Sequence, residues 1–227
     1  MTEGGLPAGY RLGRRQATRR GNAMQRPRTS EEDDRLAAIH EAAHAVFAIG
    51  PENQPILLAD AVEITGRGFG AAAIGLDTGR LKRLAAADQT HAREILIWAF
   101  LAGGVAETRA ARLWNIPLTP SETAAAARDD YALARQILAE IADAAAGRQL
   151  ADYEDDVANN LEGKIWDVVV GFSAVLHEKR RLEPAAATAL VRALCAEHLA
   201  DDPETPDPAS AAPRSDPGQD EEISGDQ

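Results

Sequence analysis

The run Leu36-Ala37-Ala38-Ile39-His40-Glu41-Ala42-Ala43-His44-Ala45-Val46-Phe47 decides how the rest of the chain is read. Histidines four apart lie one turn from each other on the same side of a helix. Both imidazoles of His40 and His44 can therefore reach one metal ion. Zinc suits such a pair, because it takes neutral nitrogen ligands in tetrahedral geometry. Glu41, beside the first histidine, is placed as a general base that takes a proton from water activated by the ion. Leu36, His40, Ala43, His44 and Phe47 share a face at helical spacing. Ser30, with Glu31, Glu32 and Asp33 after it, predicts the helix start, and Gly50-Pro51 predicts its end, giving a helix over 30–49.

The sequence around this helix falls into three parts by charge. Residues 1–29 carry seven arginines against one glutamate and no apolar period, which predicts a disordered basic leader. Residues 201–227 are rich in Asp, Glu, Pro, Ser and Gly and predict a disordered acidic tail. Residues 30–200 form the folded domain. After the first helix, Ala61-Val62-Glu63-Ile64-Thr65, then Gly66-Arg67-Gly68, then Phe69 to Leu76 read as a strand pair near 60–77. Asp88 is the predicted cap of a second helix through Ile95, Trp98 and Leu101, with Gly103-Gly104 near its far end, where another backbone can approach closely. A third helix is predicted over 121–146 with Ser121 as its cap, and a fourth over 151–180. Pro184 suits the first turn of a last helix ending near Leu199. The fold class is mainly α with a small β-sheet.

Composition narrows the function. Net charge of −12 argues against general nucleic-acid binding by the whole chain. Cys195 is the single cysteine, so no intramolecular disulfide forms, which fits a cytoplasmic location. No apolar run approaches the ~18 residues of a membrane span.

A zinc site with two histidines needs a third protein ligand. The candidates are Glu107, Asp129, Asp130, His91, His177 and His198. His91, His177 and His198 sit among charged or surface-type neighbours and read as solvated. Glu107 reads as a ligand or as a carboxylate behind one. Asp130 shares a stripe with Leu133, Ala134, Ile137 and Ile141 and points toward the core, where a carboxylate needs a partner such as a metal. Asp129 lies at the edge of that stripe.

These stretches, in this order, resemble the peptidase domain of the FtsH family, peptidase family M41. His40-Glu41-Ala42-Ala43-His44-Ala45 resembles the family's HEAGHA, with Ala43 in place of its glycine. Residues 59–76 resemble the strand pair that follows. Leu101-Ala102-Gly103-Gly104-Val105-Ala106-Glu107 resembles LLGGRAAE. Asp130, with Ala134 and Ile137, resembles the helix that supplies the third zinc ligand, and Leu176-His177-Glu178-Lys179 resembles the LLEK near the family's end. The segment Pro117 to Arg128 departs from the family's approach to that ligand.

The resemblance implies a helical, zincin-like metallopeptidase domain that hydrolyses peptide bonds. His40, His44 and Asp130 would be zinc ligands, with Asp129 the alternative to Asp130. Glu41 would be catalytic and Glu107 a supporting carboxylate. It also implies that the strand near Val62–Thr65 adds an extended substrate to a sheet edge. No phosphate loop of the GxxxxGK[ST] kind occurs in the chain, so it is expected to act without an ATPase of its own. Its partners would be flexible polypeptide substrates, an ATPase or adaptor acting in trans, or further copies of itself. The competing expectations are a weakly catalytic zinc-binding regulatory protein on the same fold, and a nucleic-acid factor acting through the basic leader.

Overall fold

The computed structural model describes residues 10–12, 26–50 and 56–199. The rest of the leader and the whole acidic tail lie outside the described residues. The fold is mainly helical with a small antiparallel sheet, as the sequence predicts.

Helix α1 (Ser30–Ile49) has the predicted boundaries, but its cap is one residue earlier than expected. Thr29 accepts from the Glu32 amide at 3.1 Å, and the Glu32 carboxylate accepts from the Thr29 amide at 2.8 Å. Each side chain satisfies an orphan donor of the first turn, which Ser30 cannot do from inside the helix. Every residue from Leu36 to Val46 is buried, so α1 has no wet side there. It is the central helix, enclosed by α3 (Ala86–Leu113), α7 (Lys164–Lys179), α8 (Pro184–His198) and the sheet. Alanines at 37, 38, 42, 43 and 45 make this possible, because small side chains let several neighbours approach one backbone closely.

In the sheet, β3 (Val62–Gly66) and β4 (Phe69–Leu76) form the predicted hairpin. Its two-residue loop, Arg67-Gly68, has positive φ at both positions, as a type I′ turn requires. β4 also pairs with β1 (Tyr10–Leu12) and β2 (Ile56–Leu58), and because Ile74 faces both Tyr10 and Leu58 these two strands lie on opposite edges of β4, β2 on the same edge as β3. The far edge of β3 pairs with β5 (Arg181–Leu182), and Ile64 donates to the Arg180 carbonyl at 2.7 Å. The edge expected to take an extended substrate over Val62–Thr65 is thus already filled from Val62 to Ile64. Asp34 of α1 gathers these parts: one carboxylate oxygen accepts from the Gly68 amide at 2.9 Å and the other from Arg180 at 2.8 Å.

Other boundaries differ from expectation for local reasons. Asp88 sits in the first turn of α3 rather than capping it, and α3 runs nine residues past Gly104 to Leu113. The short helix α2 (Thr78–Leu81) precedes it. The expected helix over 121–146 is two helices, α4 (Pro120–Ala126) and α5 (Arg128–Glu140), with Ala127 ending one and starting the other. The α4 cap is Thr119 paired with Glu122, not Ser121. The expected helix over 151–180 is likewise divided into α6 (Leu150–Leu161) and α7, because Gly163 is extended and caps α7. The leader also reaches into the fold. Arg28, expected outside the domain, is buried, with Nε on Asp33 at 2.6 Å, one terminal nitrogen on the Pro117 carbonyl at 2.6 Å and the other 3.0 Å from Glu122. Arg28 therefore ties the start of α1 to the approach segment before α5.

Candidate metal centre

Three elements meet at the histidines of α1. α3 packs along one side and supplies Ala99, Gly103 and Glu107. α5 brings Asp130 from the end of the α4–α5 break. β4 supplies Gly70 beside Glu41. His40, His44, Glu41, Glu107 and Asp130 all have no solvent exposure.

The two imidazoles are oriented by their far nitrogens. His40 Nδ1 donates to Glu107 Oε2 at 3.0 Å. His44 Nδ1 donates to the Ala99 carbonyl at 2.6 Å. A carbonyl only accepts, so Nδ1 of His44 carries the hydrogen and a neutral ring has its lone pair on Nε2. Both Nε2 atoms face the Asp130 carboxylate, at 3.3 Å from His40 and 3.7 Å from His44. The ligand atoms of His40, His44 and Asp130 all lie within 4.8 Å of one another.

This arrangement fits a metal ion. Bonds of about 2.0–2.2 Å at tetrahedral angles place neighbouring donors roughly 3.3–3.6 Å apart. The separations to Asp130 are close to that spacing. His44 Nε2 and Asp130 Oδ1 are buried without hydrogen-bond partners among the described residues. Such atoms are costly to bury unless a cation serves them. The partners behind the rings have the form that fixes a metal-binding tautomer in known sites.

Charge acts in the same direction. Burial opposes a proton on His40, but hydrogen bonds to Asp130 and Glu107 and the nearby charge of Glu41 outweigh it and push its pKa up to about 10. Burial also opposes charge on Asp130, yet the two histidines hold its pKa below the usual carboxylate value. The buried cluster thus attracts positive charge, from a proton or from a metal.

Two glycines make room. A Cβ on Gly103 would lie 2.5 Å from His44 Nε2 and 2.7 Å from His40 Nε2. A Cβ on Gly70 would lie 2.6 Å from Glu41 Cγ and 2.8 Å from its Oε1. The glycine pair on α3 was visible in the sequence as a place of close approach. Gly70 and the Ala99 carbonyl carried no signal there, since a backbone acceptor leaves no trace in residue identity.

Of the residues predicted from sequence, His40, His44 and Asp130 come together. Glu107 stands behind His40 and outside the ligand group. Asp129 is half-buried and also outside it. His91 is exposed, near Glu94 and edge-on to Trp98. His177 and His198 lie near the ends of α7 and α8, outside the group. Among the described residues no helix is long and apolar enough to cross a membrane. No protein-family model matches the chain, and no curated protein matches it, so the reading of the buried His40–His44–Asp130 group, which could hold a metal ion, rests on its own geometry.

Proposed function

We propose that the chain is a zinc-dependent peptidase in which His40, His44 and Asp130 hold the ion and Glu41 is the general base. The carrying observation is the donor set: three protein ligands, where closed structural zinc sites use four. When bound, zinc would lower the pKa of water and polarise the carbonyl under attack. Glu41, on the same helical turn as both histidines, takes the proton from the attacking water and returns it to the leaving nitrogen. Gly70 leaves the space beside the Glu41 carboxylate that this exchange needs. Glu107 and the Ala99 carbonyl hold the rings in register. The substrates would be flexible or unfolded polypeptides, supplied where necessary by an ATPase or adaptor in trans, in the cytoplasm.

The test is purified protein assayed on casein, with metal content measured in parallel. About one zinc per chain and cleavage are expected, and Glu41→Gln should keep the metal and lose the cleavage. Equal cleavage by that variant sinks the mechanism, and iron in place of zinc changes the chemistry assigned to a two-histidine, one-carboxylate site.

One observation favours a second reading. All four of these residues are fully buried, which suits a closed metal site on a regulatory or interaction protein. Zinc retained with no cleavage of any unfolded substrate would support that reading.

A further inference from the structure

A cavity of about 980 Å³ lies on the other side of α3 and α5 from the histidines. Thr108 and Arg112 line it from α3, one turn apart. Arg128, Tyr131 and Arg135 line it from α5 at spacings of three and four, which puts them on one face. Arg26 lines it as well, and among the described residues no carboxylate does. The chain has 36 acidic residues against 24 basic ones, so a cavity with four arginines and no acid runs against the composition.

Of the four lining arginines, Arg26 is already paired with Glu32. Arg112, Arg128 and Arg135 form no ion pair among the described residues, and Arg135 only lies over the Tyr131 ring, at 5.8 Å. The nearby carboxylates are engaged, Glu122 with Arg28 and Glu154 with the Tyr131 hydroxyl. Arg128 also occupies the first position of α5, the positive end of the helix dipole, where a cation is disfavoured.

We propose that this cavity is a binding site for a compact polyanion carrying two or more phosphate or carboxylate groups, gripped between Arg112 on one wall and Arg128 and Arg135 on the other. Guanidinium forks match both oxyanions in bidentate geometry. The volume is at the upper end of the usual range for small-ligand sites, about 300–1,000 Å³. The site is independent of the metal chemistry, because α3 and α5 turn Glu107 and Asp130 inward and these arginines outward.

Calorimetric titration at physiological salt tests it, with inorganic triphosphate as the phosphate probe and citrate as the carboxylate probe. Binding of at least one probe is expected, weakened about tenfold or more in Arg128→Gln/Arg135→Gln and unchanged in Arg192→Gln on α8. The probe that binds identifies the source of the oxyanion. The double variant keeps every metal-site residue, so binding by chelation would persist in it. No binding of either probe, wild-type binding by the double variant, or equal weakening in Arg192→Gln overturns the proposal.

Discussion

Replacing Gly103 by alanine should expel the metal while leaving the fold nearly intact. Helix propensity alone favours the change, since alanine in a helix interior is about 0.8–1.0 kcal/mol better than glycine. The added Cβ would lie 2.5 Å from His44 Nε2 and 2.7 Å from His40 Nε2, where ordinary contact begins at 3.4 Å. The rings must therefore retreat by about 0.7–0.9 Å, whereas metal–ligand distances tolerate only about 0.2 Å. Overpacking a core costs about 1–3 kcal/mol, so the net loss of stability should be about 0–2 kcal/mol. Gly104→Ala is the control. Its Cβ would meet Ala127 Cβ at 3.1 Å and reaches neither histidine. Metal content after dialysis and urea unfolding would be measured on both variants. Gly103→Ala should hold no ion and Gly104→Ala should hold about one. A Gly103→Ala protein that keeps one ion at wild-type affinity refutes the placement of the site against α3.

Asp130→Ala should lose the metal and Asp129→Ala should keep it, because only Asp130 lies with the histidine nitrogens; elemental analysis of both decides this. Arg28→Ala should destabilise the protein by about 1.5–3 kcal/mol in urea unfolding, since it removes the 2.6 Å charge-assisted bond to the buried Asp33 carboxylate. Glu122 gives the matching pH dependence. Burial raises its pKa, but Thr119 and Arg28 outweigh that and leave it below the usual carboxylate value. A depressed folded pKa contributes stability that is present above the unfolded value of about 4.3 and is lost as pH falls through the folded one. Urea midpoints taken downward from pH 5 should fall in the wild type, and part of that fall should be absent in Arg28→Ala. An unchanged slope would remove Arg28 from this role.

The central helix was legible because its evidence is local. Two histidines at one-turn spacing, acidic residues in the first turn and a Gly-Pro stop lie within about twenty residues, and the structure returns Ser30–Ile49. Asp130 was legible by its apolar stripe. The break that aims it was not, because nothing in an alanine-rich run marks Ala127 as a helix end. At that break α3 passes close by, so that a Cβ added at Gly104 would lie 3.1 Å from Ala127 Cβ. The expected helix over 151–180 ran through Gly163 as well, and there the glycine, extended in the structure, divides it. Arg28 was misassigned to the leader for a similar reason. Its composition is that of a solvated arm, and the partners that draw it inward, Pro117 and Glu122, lie about ninety residues away.

The charge balance of the centre links fold and chemistry. Two imidazoles and three carboxylates, those of Glu41, Glu107 and Asp130, are buried with no solvent exposure. Ionised carboxylates at such depth are tolerated only with compensating positive charge nearby. Without a metal, the compensation centred on His40 is a proton, and its raised pKa expresses that demand. A proton serves only the His40–Asp130 contact, however. It leaves His44 Nε2, whose Nδ1 is committed to Ala99, facing the same carboxylate at 3.7 Å. A divalent ion answers all three donors at once and brings one more positive charge than the proton it displaces. The Ala99 carbonyl and Glu107 therefore do more than steady the rings, because by holding both Nδ1 hydrogens they turn both Nε2 atoms toward Asp130, the arrangement a metal ion would need.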